Sequence, residues 1–153
     1  ACSGIEKCRL TIVGEGSERA QLMELAREKN VDLDLPGNIA NERLPSLLSR
    51  HQVFALPSRW EGHPKALIEA MACGMACVGA NSRGIYNVVE HGRNGLLTEA
   101  NPRELRSALL SLLNDGDLRK TLEGAAREFV RKNYAFQVVI DKELSIADSL
   151  VKR

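Results

Sequence analysis

The sequence predicts an α/β fold, a parallel sheet flanked by helices. Short apolar runs alternate with helix-length amphipathic ones, which is the mark of a parallel sheet with crossover helices. Two of the runs, 53–56 and 76–80, are wholly apolar, as strands covered on both faces are. A length of 153 residues suits one domain that buries about 70% of its unfolded surface. No repeat, low-complexity stretch or linker divides the chain.

Arg9 to Val13 reads as the first strand, closed by Gly14-Glu15-Gly16. Ser17 is placed to cap a helix reaching about Lys29, with Leu22, Leu25 and Ala26 on its inner face. Val31 to Leu35 alternates apolar and acidic residues, a strand at or near a sheet edge, and ends at Pro36-Gly37. Pro45 opens a short helix to His51, and Val53 to Leu56 follows as a central strand. A helix from Pro64 ends with Gly74 as its C-cap, and Ala76 to Ala80 is a buried strand. A helical turn from Ile85 to Glu90 and a short strand from Gly95 to Thr98 complete the sheet region.

The last third is helical. Asn101-Pro102-Arg103-Glu104 supplies an N-cap, a first-turn proline and a capping glutamate. Leu105, Ala108, Leu109, Leu112 and Leu113 then keep the spacing of an amphipathic helix. A further helix covers about 118–132. The last begins near Ala135, with Phe136, Val139, Ile140, Leu144, Ala147 and Val151 on one face.

The chemistry concentrates in 60–74. Gly62 permits a tight turn, and Pro64 suits a helix start, where its missing N–H is not needed. The first N–H groups of that helix, on Lys65, Ala66 and Leu67, would point outward with the positive end of the helix dipole behind them, which favours an anion. Glu61 precedes this point and Glu69 follows it by more than a turn. A phosphate between them would have a hydroxyl-accepting carboxylate on each side, the pattern of a receptor for a nucleotide sugar. Glu69 stands in the largely apolar stretch 66–80, where an unpaired carboxylate would be costly.

Charge and cysteines narrow the classes. With 21 basic and 20 acidic residues the net charge is +1, which leaves no footprint for nucleic acid or an anionic membrane. No apolar run reaches the ~18 residues of a transmembrane helix, and residues 1–10 carry Glu6, Lys7 and Arg9 in place of a signal core. The expectation is a cytoplasmic protein. Cys73 and Cys77 have no second close pair with ligand spacing, so no metal is expected, and Cys2, Cys8, Cys73 and Cys77 read as buried, reduced thiols. His51 reads as a helix cap.

With these elements in place, the chain resembles the C-terminal, donor-binding domain of a GT-B glycosyltransferase, closest to the retaining family 4. The resemblance rests on Val13-Gly14-Glu15-Gly16, on the run Leu56 to Pro64, on Glu69-Ala70-Met71-Ala72-Cys73-Gly74 and on Gly92-Arg93-Asn94-Gly95-Leu96-Leu97. It implies a Rossmann-like domain. It also implies a parent enzyme that moves a sugar from a nucleoside diphosphate donor, UDP- or GDP-linked, to an acceptor, with retention and without a metal or other cofactor. Glu69 matches the glutamate that holds the ribose hydroxyls, and Glu61 the one that contacts the donor sugar and stabilises developing charge. Gly62, His63 and Pro64 match the turn against sugar and phosphates, and the N–H groups of Lys65, Ala66 and Leu67 lie next to the diphosphate. Gly14, Glu15 and Gly16 match the loop beside the nucleotide, and Gly37, Asn38 and Ile39 the loop that frames the base.

Departures from that family pattern carry their own expectations. Position 83 is Arg where Gly is usual, so Arg83 is placed to bring charge toward phosphate, and position 87 is Asn where Glu is common. The family's usual first strand-helix unit, with its phosphate-clamping Arg and Lys, has no match here, and no acceptor domain is present. The whole of 1–153 then reads as one donor domain, a fragment of a two-domain enzyme, inactive alone and reaching the inner membrane face through the missing domain. In the family order 3-2-1-4-5-6 the missing strand would lie between 9–13 and 53–56. Those two strands are expected to close on each other, or a segment of a second molecule to fill the slot as a strand-swapped dimer.

Other readings are a non-catalytic nucleotide-binding module and a sugar-nucleotide epimerase, against which the block 61–74 speaks for transfer. A dinucleotide-binding dehydrogenase would need a third glycine at position 19, where the chain has Arg19.

Overall fold

The computed structural model describes residues 1–151, with side chains through Leu150. It begins with a β-α-β unit. Strand β1 (Arg9–Val13) leads through helix α1 (Arg19–Glu28) to β2 (Asp32–Gly37), and the strands pair in parallel from Arg9 with Asp32 to Val13 with Gly37. The register shifts between Thr11 and Val13. Ser17 does not cap α1. The Gly16 carbonyl accepts the Arg19 N–H at 3.3 Å, a turn that makes Glu18 the boundary residue and leaves the Ser17 hydroxyl to the Glu18 carboxylate. On the expected inner face Leu22 and Ala26 are half-buried, while Leu25 is exposed.

A 3-10 turn at 41–43 leads into α2 (Leu44–Leu48) and then the second sheet. It is ordered β3 (Val53–Leu56), β4 (Ala76–Ala80), β5 (Leu96–Thr98), all parallel. Every residue of β4 is buried. Ala76 and Val78 pack toward Ala108, Leu109 and Leu112 of α4 (Pro102–Asn114), while Cys77 packs with Leu67 and Met71 of α3 (Lys65–Ala72). Helix α5 (Gly116–Tyr134) contributes to both clusters, through Ala126 and Val130 to one and Leu122 to the other. Leu67, Met71, Ile85, Leu112 and Leu122 are fully enclosed, and each such side chain stabilises the fold by about 1.5–3 kcal/mol.

The capping signals are read out with one change. The Asn101 side chain accepts the Glu104 N–H at 3.0 Å, but the Glu104 carboxylate reaches past Asn101 to the Glu99 N–H, also at 3.0 Å. Asp115 caps α5, which runs further at both ends than its apolar pattern marks. Helix α6 (Phe136–Val151) touches α5, but its apolar face is largely open, with Phe136, Leu144, Ile146 and Leu150 exposed. Val151, expected on that face, has its side chain outside the described residues.

One expectation about the sheet fails, and of the two outcomes expected for the slot the first is not found. β3 is not central: it pairs with β4 alone, and β1 pairs with β2 alone, so the sheet is split. Nor do β1 and β3 close on each other. Residues 1–8 make turns, not a strand. No residue of β1 or β3 is buried, so water reaches these edges and the cost of orphaned groups that would force closure is not incurred. The end of α2 also bridges the halves. His51 sits at the α2 terminus as the sequence suggests, its Nδ1 2.9 Å from the Leu47 carbonyl and its Nε2 2.9 Å from the Thr11 hydroxyl, while Leu48 packs on the core.

Candidate functional site

Four loops leave the carboxyl ends of parallel strands: 14–16 after β1, 37–39 after β2, 57–64 after β3 and 81–84 after β4. Such ends are where open α/β sheets bind ligands. The first two loops are joined. The Gly14 N–H donates to the Gly37 carbonyl at 2.9 Å, and a Cβ on Gly37 would overlap the Glu15 carboxylate that lies over it. Asn38 is exposed and Ile39 half-buried beside them.

The start of α3 supplies fewer free donors than the sequence suggests. Pro64 is the boundary residue rather than the first helical one, with φ −78 and ψ 64. That bend turns the Lys65 N–H back onto the His63 carbonyl at 2.8 Å, so this donor is occupied. The Ile68 N–H donates to the Pro64 carbonyl at 3.1 Å. The N–H groups of Ala66 and Leu67 have no acceptor among the described residues; Ala66 is exposed, so its N–H remains available to an anion with the helix dipole behind it, whereas Leu67 is fully enclosed.

Glu69 is one turn further on. Its neighbours Ile68 and Ala70 are buried, yet its own side chain keeps 37% exposure and meets Lys65 Nζ at 3.6 Å. That access to water is why a carboxylate is tolerated in the apolar stretch. Glu61, on the loop before α3, is half-buried. Its N–H donates to the Arg83 carbonyl at 3.0 Å, and the Ser82 hydroxyl donates to the Ser58 carbonyl at 2.8 Å. Arg83 is exposed and makes neither an ion pair nor a side-chain hydrogen bond among the described residues. Trp60 is 66% exposed, its ring edge 3.6 Å from where a Cβ on Gly62 would stand. The His63 ring lies 6.3 Å from that of Tyr134, which ties the turn to the end of α5.

The structure therefore joins Gly14 and Glu15 to Gly37, Lys65 to Glu69, and Glu61 to the loop bearing Arg83. Ser82, Gly84 and Tyr134 escape sequence reasoning. Gly84, buried and left-handed after a wholly apolar strand, is the one whose residue type carried a usable signal. Among the described residues no three His, Cys, Asp or Glu side chains form a group that could hold a metal ion. Of the cysteines only Cys77 is buried. Cys2, Cys8 and Cys73 are partly exposed, which corrects the expectation for those three.

Parallel strands flanked by helices in this order are the architecture of the C-terminal domain of a GT-B glycosyltransferase. The chain belongs to the family of glycosyl transferases group 1, whose model matches residues 3–129. It is 27% identical over 135 residues to the N-acetyl-alpha-D-glucosaminyl L-malate synthase of Bacillus anthracis, covering 88% of this chain and 35% of that protein. Among solved structures it superposes on the sucrose-phosphate synthase of Thermosynechococcus elongatus with a TM-score of 0.85 at 25% identity, covering 94% of this chain and 38% of that one. On Anabaena HepE, solved with UDP-glucose, the TM-score is 0.81 at 24% identity, covering 94% and 40%. The chain spans only 32–38% of the length of these curated relatives.

Proposed function

We propose that residues 1–153 form the donor-binding domain of a two-domain, family 4 glycosyltransferase that moves a sugar from a UDP- or GDP-linked donor to an acceptor, with retention and with no metal or cofactor. The observation that carries this is the free N–H of exposed Ala66 at the start of α3, lying on the chain between Glu61 and Glu69 in a member of this family. The diphosphate would sit on that N–H and the helix dipole, with Arg83 adding charge. Glu69 would accept the ribose hydroxyls. The loops 14–16 and 37–39 would border the nucleotide and its base, and Gly62, His63 and Pro64 the sugar and phosphates.

In transfer, positive charge develops at the sugar's anomeric carbon as the diphosphate leaves. The Glu61 carboxylate would stabilise the first and the α3 start the second, so the site is polarised along the breaking bond. The acceptor would come from a second domain. Through that domain the enzyme would reach the inner face of the membrane from the cytoplasm. Among the described residues no helix is long and apolar enough to cross a membrane.

Calorimetric titration of the chain with UDP, GDP and ADP tests the reading. Binding of one diphosphate that is lost in Glu69→Ala is expected. No binding of any of them would overturn it, as would sugar transfer by the chain alone, since positioning by an acceptor domain is worth several kcal/mol of barrier.

A further inference from the structure

The loop carrying Glu61 does not hold its own shape. It is fixed from the neighbouring loop, 81–84, by contacts that the family pattern of the chain does not mark. The Glu61 N–H is spent on the Arg83 carbonyl at 3.0 Å, and the Ser82 hydroxyl closes on the Ser58 carbonyl at 2.8 Å. Between these, Gly84 is pressed against Glu61 itself. A Cβ on Gly84 would overlap the Glu61 carbonyl oxygen, lie 2.8 Å from its carbonyl carbon and 3.0 Å from its Cβ. The obstacle is backbone, so no rotamer change relieves it. Gly84 also has φ +89, where a side chain is strained in any case.

The supporting loop is anchored to the core. The Asn81 N–H donates to the Thr98 carbonyl of β5 at 2.7 Å, and the N–H groups of Ile85 and Tyr86 return to the Ser82 carbonyl at 3.1 Å each. Ile85 is fully buried against Gly79 of β4, where a Cβ would overlap its Cγ2. Position is thus passed from the buried strand β4 through Ile85 and Gly84 to Glu61.

We propose that Ser82, Arg83 and Gly84 are the positioning segment for Glu61, and that Gly84 sets how closely the Glu61 carboxylate approaches the sugar of a bound nucleoside diphosphate sugar. This rests on the donor-site reading above. The nucleotide part of the donor is assigned to a different element, the α3 start and Glu69, whose geometry comes from packing on β3, β4 and α5. Sugar recognition and nucleotide recognition are therefore separable by substitution of Ser82 and Gly84, neither of which is assigned to the diphosphate.

Titration of the chain with UDP and UDP-glucose, and with GDP and GDP-mannose, tests this in wild type, Gly84→Ala, Ser82→Ala and Ser82→Thr, alongside amide exchange of Glu61 by NMR. Gly84→Ala is expected to keep diphosphate affinity within about twofold, to lose roughly tenfold toward the matching nucleotide sugar, and to speed Glu61 exchange while Ile68 and Met71 stay protected. If Gly84→Ala does not fold, Ser82→Ala decides, with a smaller loss in the same direction that Ser82→Thr restores. Equal loss toward diphosphate and nucleotide sugar, or unchanged Glu61 exchange, would overturn the inference. Failure of the wild type to bind any of the four ligands would instead remove the donor reading, and the exchange rates would then show whether the loop linkage stands without it.

Discussion

Lys65 Nζ stands 3.6 Å from Oε1 of Glu69, one helical turn away, so the carboxylate assigned to the ribose is held by a lysine at the start of the same helix. The contact is exposed on the lysine side and contributes little stability by itself. It does place the Glu69 carboxylate beside the lysine that opens the helix. A diphosphate bound there would draw Lys65 toward itself and release Glu69 to accept hydroxyls.

Glu69→Ala in the full-length enzyme is therefore expected to raise the donor KM by about 10- to 100-fold with kcat little changed, because ribose contacts persist through the reaction and a hydrogen bond to a charged group is worth about 1.5–3 kcal/mol. Steady-state kinetics with the donor varied would check it. A fall in kcat at constant KM would reassign the residue.

Glu61→Ala should show the opposite split. Its contacts would strengthen only as charge develops on the sugar, so kcat is expected to fall by roughly 10²–10³ while donor KM moves a few-fold at most. Single-turnover rates at saturating donor separate this from a slowed product release. An unchanged rate would place the charge-stabilising group elsewhere.

These two glutamates were legible in the sequence because a glycine, a proline and their own spacing fix a turn and a helix start, which are local matters. The strands were legible for a similar reason: 76–80 is apolar throughout and is buried throughout. What failed depended on distant partners. Val53–Leu56 is as apolar as a central strand, but apolar composition cannot say whether another strand exists to pair with it. The Lys65 donor was lost to a bend at Pro64 set by ψ, which proline does not restrict as it does φ. Ser82 acts through the backbone of Ser58 and Gly84 through that of Glu61, more than twenty residues away in sequence, and a distance of that kind is not written in local side-chain chemistry.

Gly79→Ala probes the core behind the site. The added methyl would meet Ile85 Cγ2 in a position with no exposure, so overpacking should destabilise the domain by about 1–3 kcal/mol. Urea unfolding should show a lower midpoint at constant slope. Pairing it with Ile85→Ala, which removes Cγ2, should recover the overpacking part of the loss relative to the sum of the two single changes. No recovery would mean that the strand, rather than Ile85, resists the methyl.

Thiol labelling separates the cysteines. Cys77 is enclosed, and burial pushes its thiol well above the ordinary range, so it carries almost no thiolate at pH 8. Cys2, Cys8 and Cys73 are partly exposed, although burial and the neighbouring Cys2 raise Cys8 as well. With a disulfide reagent at pH 8, these three should react in the folded protein, Cys8 more slowly than its exposure suggests. Cys77 should react only on unfolding. Rapid modification of Cys77 would contradict the packing of β4 between its helices.

The split sheet carries the last prediction. β1 pairs only with β2 and β3 only with β4, so each presents an unpaired edge of N–H and C=O groups. Water can satisfy those groups, as the partial exposure of both strands shows, but it leaves a template for another chain. Little opposes the approach of a second copy, because the net charge is only +1. Val13 is exposed at the end of β1 and Ala55 is exposed within β3, so the edges also offer apolar surface to an incoming strand. The 153-residue chain is therefore expected to associate with itself as its concentration rises, with a strand of one copy entering the slot of another. Sedimentation velocity across roughly 1–500 μM should show a growing dimer or larger species, in the range where exposed strand edges drive association. Ala55→Lys puts a charge on the edge without touching the core and should shift the chain back to monomer with little change in Tm. Monomer throughout that range, or association that Ala55→Lys leaves untouched, would show that these edges are content with water.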